Sequence, residues 1–264
     1  MRCRKQYELS FIRNLEPKVK PEAMGKGSDF HKCAEHHFRH ALNGRDSLKL
    51  PLNNTMWPVW EEYAFINRLP AIETILSVED PYWCDLIPGV RLRITPDLVY
   101  RSGDWIVCRD WKTFSKDGEW DVDLDFQGRL YTALLRVFFK TEKVRFEYVK
   151  VRSELGRNLK SGYVEWANAE RYPEPDELIP SKAECDILLE EAQYAAREIL
   201  KHSDTRQITP GALYRSPQRG FDMNSCDRCL VKEACKKDLT GELDEQTISL
   251  LYNIREPLKE TTNG

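Results

Sequence analysis

Between Ile94 and Tyr131 the sequence sets out Pro96-Asp97, then Asp110-Trp111-Lys112, then Gln127 and Tyr131. Two acids, a lysine and a polar pair, in that order, are the side chains needed to hydrolyse a phosphodiester with a divalent metal. Carboxylates that converge on one point repel unless a cation lies between them, and their hard oxygens suit magnesium or manganese. A lysine beside them can hold the attacking water or the charged phosphate. The stretch that carries both acids reads as a hairpin. Leu92, Ile94 and Val99 precede a Ser102-Gly103-Asp104 turn, and Trp105, Ile106 and Val107 follow it. Folding that hairpin back brings Asp97 to within a residue or so of Asp110. Asp110 and Lys112 are two apart on one strand and share a face, while Trp111 points to the other face, towards the core.

Two more groups have suggestive spacing. From Val122 to Phe139 the chain is apolar at Phe126, Leu130, Leu134, Val137 and Phe138, a helical period. Gln127 and Tyr131 are i,i+4 on that helix and share a face. Upstream, Gly27-Ser28-Asp29-Phe30-His31 opens a helix expected to run to about residue 44, with Ser28 as its N-cap. Four histidines, His31, His36, His37 and His40, fall within ten residues. His36 and His40 are i,i+4 and could bind zinc, but no HExxH pattern is present, and a solvated helix face explains them more simply.

Pro96-Asp97 followed by Asp110-Trp111-Lys112 resembles the PD-(D/E)XK nuclease superfamily. Gln127-x-x-x-Tyr131 resembles the QxxxY motif that the RecB-like branch carries on the helix after this strand. Gly27-x-x-x-His31 resembles the GxxxH motif whose histidine is a metal ligand in that branch. The resemblance implies an α/β, restriction-endonuclease-like fold, with a central mixed sheet flanked by helices. It implies that His31, Asp97, Asp110 and the carbonyl of Trp111 hold magnesium or manganese. Lys112 would orient the water or stabilise the transition state, and Gln127 and Tyr131 would position the strand being cut. Such nucleases act on DNA with single-stranded character, often from an end, in recombination, repair, CRISPR spacer capture or phage DNA processing. No helicase motif is present, so unwinding would need a helicase or recombination partner. The competing expectations are a non-catalytic DNA-binding or assembly module of the same fold, and a zinc-stabilised interaction domain.

The eight cysteines are Cys3, Cys33, Cys84, Cys108, Cys185, Cys226, Cys229 and Cys235. Most are scattered, as in reduced proteins where thiols pack as small hydrophobes. Cys108 shares a strand face with Asp110. The last three form C-x2-C-x5-C, and three thiolates need a fourth to close a tetrahedral or cubane site. Spacing alone allows a zinc knot. A subset of RecB-like nucleases, including the AddB nuclease domain and the iron–sulfur nuclease of CRISPR adaptation, has this triplet and one cysteine near the N-terminus. Cys3 occupies that place here, followed by Arg4 where those proteins usually have proline. The resemblance implies a [4Fe-4S] cluster on Cys3, Cys226, Cys229 and Cys235, with structural zinc as the alternative. Either would clamp the C-terminal segment to the N-terminus, worth about 5 kcal/mol by the chain-entropy estimate for cross-links. Related nucleases usually carry a short helix ahead of the first cysteine. Either that helix is absent here or the true start lies upstream.

These groups need a scaffold, and 264 residues can bury one good core. We expect a single nuclease domain over 1–264. In it, 45–80 is a helical insertion and 203–240 the cysteine-bearing segment. Trp57, Trp60 and Tyr63 in the insertion read mostly as core, though they could stack unpaired bases. Strands are expected at about 91–100, 105–112, 143–152 and 162–166. Ser181-x-x-Glu184 is a capping box opening a helix to about Lys201, and a last short helix spans about 242–254. The net charge of -3 excludes a generally basic DNA-coating protein. A local patch could draw on Arg129, Arg136, Lys140, Lys143 and Lys150, each otherwise an ordinary solvated charge. No apolar run reaches transmembrane length and no secretory signal is visible. The expected setting is the cytoplasm of a bacterium or phage-infected host, with DNA as partner and no membrane.

Overall fold

The computed structural model describes residues 8–19, 22–44, 54–114, 125–153, 156–159, 162–165, 172–203 and 229–255. In chain order they form strand β1 (Leu15–Pro17) and helices α1 (Glu22–Leu42) and α2 (Trp57–Ile66). Strands β2 (Ile75–Val78), β3 (Tyr82–Ile87), β4 (Val90–Ile94), β5 (Leu98–Ser102) and β6 (Trp105–Phe114) follow, then helix α3 (Phe126–Phe139). Next come β7 (Val144–Arg152), β8 (Gly156–Leu159), β9 (Gly162–Glu165) and β10 (Asp176–Leu178). Helices α4 (Lys182–Ser203), α5 (Lys232–Thr240) and α6 (Glu245–Leu251) and strand β11 (Tyr252–Ile254) complete the chain. Two units result, one of residues 22–198 and one of 1–21 with 199–264.

The larger unit is built on a five-stranded mixed sheet of order β10-β7-β6-β5-β2. β5 and β6 are the expected hairpin, with Leu98 opposite Arg109 and Gly103 at φ +57 in the turn, a left-handed conformation that costs glycine nothing. β6 and β7 are parallel from Ile106↔Val144 to Phe114↔Arg152. Parallel strands need a crossover, and α3 supplies it. Alternation along β6 then assigns the layers. Ile106 and Cys108 face α3 and pack with Leu130, Leu134, Phe146 and Tyr148. Val107 and Trp111 face the other way and pack with Phe30, Phe38, Trp60 and Tyr63 of α1 and α2. The fold is therefore α/β with a restriction-endonuclease-like core, as expected.

Several boundaries differ from the sequence reading. α1 begins at Glu22, because Glu22-Ala23-Met24 is a helix-forming run that carries the helix through the two glycines. Ser28 lies inside the helix and caps nothing. The strand expected at 91–100 is two strands. Pro96 cannot donate to a ladder, and at this point the chain leaves its pairing with β3 (Tyr82↔Ile94) and takes up pairing with β6 and β2. Asp97 sits at that break. The stretch 45–80 contains the expected helix, but it also supplies β2 to the central sheet. Within that stretch Trp60 and Tyr63 are buried and Trp57 is half-buried; all three belong to the core, which leaves Trp60 and Tyr63 unable to stack bases. The capping box at Ser181 is formed, with Ser181 N–H on Glu184 Oε2 at 2.8 Å and Glu184 N–H on Ser181 Oγ at 3.2 Å. The last expected helix is α6 followed by β11.

In the smaller unit, β1 and β11 pair antiparallel, Leu15 opposite Ile254. Leu9, Leu15, Val231, Ala234, Ile248 and Tyr252 form its buried core, with Cys229 and Cys235 packed against it.

Candidate active site

Four segments of the larger unit bring the polar residues to the end of β6. α1 presents His31. Gly27, one turn earlier, lets this helix approach closely, since a Cβ there would lie 3.3 Å from Thr113 Oγ1 near the end of β6. The break at Pro96 presents Asp97, whose Oδ2 accepts the Trp111 N–H at 2.8 Å and is thereby fixed against the neighbouring strand. β6 presents Asp110 and Lys112. α3 presents Gln127.

His31 Nδ1 lies 3.0 Å from Asp97 Oδ1 and 3.7 Å from Glu79 Oε1. One ligand atom from each of His31, Glu79 and Asp97 falls within 4.8 Å of the others. Glu79 was not singled out in the sequence. It follows β2 with no motif around it, and its φ of +52 is invisible in a sequence. Its N–H donates to the Asp97 carbonyl at 3.1 Å, so the two acids are tied through their backbones.

Asp110 is 2 % exposed. Its Oδ1 accepts from Gln127 Nε2 at 2.8 Å, and its Oδ2 faces the Lys112 ammonium at 2.6 Å as an ion pair without an aligned hydrogen bond. Lys112 Nζ also donates to Gln127 Oε1 at 3.1 Å. Gln127 therefore bridges the acid and the lysine with the two ends of one amide. Burial, then the charge of Asp97, raises the Asp110 pKa from 3.8 to about 7. Burial would lower that of His31, but hydrogen bonds to Asp97 and Glu79 and the acidic charges outweigh it and raise it from 6.5 to about 10. Burial likewise raises Glu79.

Three carboxylates thus meet one imidazole and one ammonium. The positive groups supply at most two charges, and burial makes Glu79 and Asp110 hold their protons more tightly than free carboxyls do. This donor set of one nitrogen and several carboxylate oxygens fits a divalent cation such as magnesium or manganese.

The other expected site residues fall as follows. Tyr131 sends its hydroxyl to the Thr95 carbonyl at 3.4 Å, bracing the segment before Asp97. The Trp111 side chain is fully buried on the opposite face of the sheet. Cys108 is fully buried, and burial pushes its thiol far above the usual range. Of the candidate cations, Arg129 pairs with Glu184, Lys143 with Asp104 and Lys150 with Asp176. Arg136 donates to Cys185 Sγ and the Pro180 carbonyl; Lys140 is exposed at the C-cap of α3. His36 and His40 stack on each other at 3.9 Å. Cys229 and Cys235 lie half-buried in the smaller unit; Cys3 and Cys226 are outside the described residues. No helix among the described residues is long and apolar enough to cross a membrane.

No curated protein sequence matches the chain. The PD-(D/E)XK nuclease superfamily, in contrast, matches residues 1–236. That span covers Asp97, Asp110 and Lys112, so the motif, the mixed sheet and the converging acids agree: the chain belongs to the PD-(D/E)XK nuclease superfamily.

Proposed function

We propose that the protein is a metal-dependent deoxyribonuclease that cuts DNA of single-stranded character without sequence preference, working from an end. The observation that carries this reading is the meeting of His31, Glu79 and Asp97 beside the Asp110–Lys112–Gln127 triad. His31, Glu79, Asp97, Asp110 and the carbonyl of Trp111 would hold one or two magnesium or manganese ions. A bound divalent ion supplies Lewis acidity, which acidifies water and offsets charge on the phosphate. Lys112 orients the water or faces the charge that grows on the phosphate, where a preset cation is worth most. Gln127 holds Asp110 and Lys112 in register, and Tyr131 braces the chain that carries Asp97. The nitrogen ligand favours manganese as an effective substitute for magnesium.

Two features support the substrate class. The internal pairing of Arg129, Lys143 and Lys150 takes three cations from those that could grip a long duplex. Phe126, 53 % exposed and one residue from Gln127, offers an aromatic face to an unpaired base. Cys3, Cys226, Cys229 and Cys235 would hold a [4Fe-4S] cluster, with structural zinc the alternative. A helicase or recombination partner would deliver the strand. Cys33, Cys84, Cys108 and Cys185 stand as thiols, which suits a reducing cytoplasm.

The test compares end-labelled linear and covalently closed single strands in magnesium and in manganese. Cleavage should be faster on the linear form and weaken with salt. Equal rates on both would leave an endonuclease, and discrete sequence-specific cuts in duplex DNA would overturn the substrate reading.

A further inference from the structure

Glu79 is a charged, β-carbon-bearing residue at φ +52. Such a conformation is unfavourable for an L-residue and persists only where neighbours over-determine it. The neighbours here are specific. Arg39 Nη2 donates to the Val78 carbonyl at 2.7 Å and lies 3.3 Å from Asp80 Oδ1. Arg39 thus grips the residue before Glu79 and the residue after it. Asp80 closes the loop by accepting the Val78 N–H at 3.4 Å. The guanidinium is itself held by Glu35 Oε1 at 2.8 Å. Glu35 and Arg39 lie on α1, the helix that also carries His31.

We propose that Arg39 is a positioning residue for the metal centre, holding the Val78–Asp80 loop so that the Glu79 carboxylate meets His31 and Asp97. The inference rests on the metal-centre reading above. One helix then sets two arms of the site. It presents His31 directly and Glu79 through the Arg39 fork. A planar fork with several donors can hold a carbonyl and a carboxylate together, which a lysine ammonium does less well. Arg39 is outside the His31–Glu79–Asp97 ligand group and acts only through Glu79.

The experiment measures manganese binding to the full-length protein by calorimetry, with no DNA present. Arg39→Ala should weaken binding about 10-fold, the usual effect of losing an outer partner of a metal ligand. Arg39→Lys should recover only part of it. Asp80→Ala, on a half-exposed side chain, should give the same direction and serves if Arg39→Ala does not fold. Glu79→Gln should weaken binding at least as much, and the double variant Arg39→Ala/Glu79→Gln should be no worse than Glu79→Gln alone. Unchanged binding in Arg39→Ala and Asp80→Ala, or additive losses in the double variant, would overturn the proposal. His31→Ala separates the two levels. If it weakens binding while Arg39→Ala does not, only the role of Arg39 falls. If it too leaves binding unchanged, the metal centre itself is wrong and the role of Arg39 falls with it.

Discussion

Asp110 is an acid that the protein makes hard to ionise. Its pKa is raised from 3.8 to about 7 by burial and by the charge of Asp97, and His31 is raised from 6.5 to about 10. Both groups bind protons more tightly folded than unfolded, so the folded state is favoured where they are protonated. The contribution of Asp110 is present below about pH 4 and lost as pH rises to about 7. That of His31 is lost from about pH 6.5 to about 10. In a chelating buffer the melting temperature should therefore fall as pH rises from 5 to 9, and Asp110→Asn should flatten the lower part of the fall. Manganese should raise the melting temperature more at pH 8 than at pH 5, because protons compete with metal for these ligands. A chelated melting curve that rises with pH across this range would contradict the assignment of Asp110 and His31 as the crowded, proton-holding pair.

At the scale of elements, α3 decides where Gln127 sits. Asp125 caps that helix through the N–H groups of Gln127 and Gly128, at 2.7 Å and 3.2 Å. Tyr148 on β7 holds Asp125 Oδ1 at 2.5 Å and accepts the Gly128 N–H at 3.1 Å. Gly128 permits this approach, because a Cβ there would lie 3.0 Å from Leu178 and 3.2 Å from Phe146. Gly128→Ala should push the start of α3 off the sheet. It should cost about 1–3 kcal/mol of stability by denaturant titration, as overpacking does, and slow cleavage by displacing Gln127. Wild-type stability and rate in that variant would mean that α3 need not dock so closely. The β5–β6–α3–β7 succession was legible because period-2 and period-3.6 patterns mark it, and because Asp110 and Lys112 two apart must share a face. Glu79 was not legible. β2 is four residues long and half of it is exposed or half-buried, too short for a pattern, and a left-handed glutamate leaves no trace in a sequence. The switch of partners at Pro96 was missed for a related reason. Proline announces a break in a ladder, but not which strands lie on either side. Ser28 looked like a cap because local chemistry cannot tell a glycine that ends a helix from one that lets a helix approach a strand.

At the scale of the whole chain, acidic and basic residues nearly balance, with a net charge of -3, and among the described residues Arg129, Lys143 and Lys150 are engaged in internal pairs. The protein is thus suited to act at a point rather than to coat DNA. The smaller unit joins residues 8–17 to 229–255 through β1–β11 pairing and the Leu9–Tyr252 core, and the second stretch carries Cys229 and Cys235. Protein purified without oxygen should be brown with about four irons per chain, and Cys229→Ser should bleach it and lower its melting temperature. A colourless protein with stoichiometric zinc would replace the cluster but keep the clamp. The central claim is hydrolysis at the Asp97–Asp110–Lys112 centre. Its most direct test is degradation of single-stranded DNA by the pure protein in manganese, set beside Lys112→Ala of unchanged melting temperature. Cleavage should require the metal, stop in chelator, and fall by about 10²-fold or more in the variant, as losing one preset charge at the reacting phosphate does. Full activity in a folded Lys112→Ala, or cleavage that persists in chelator, would contradict it.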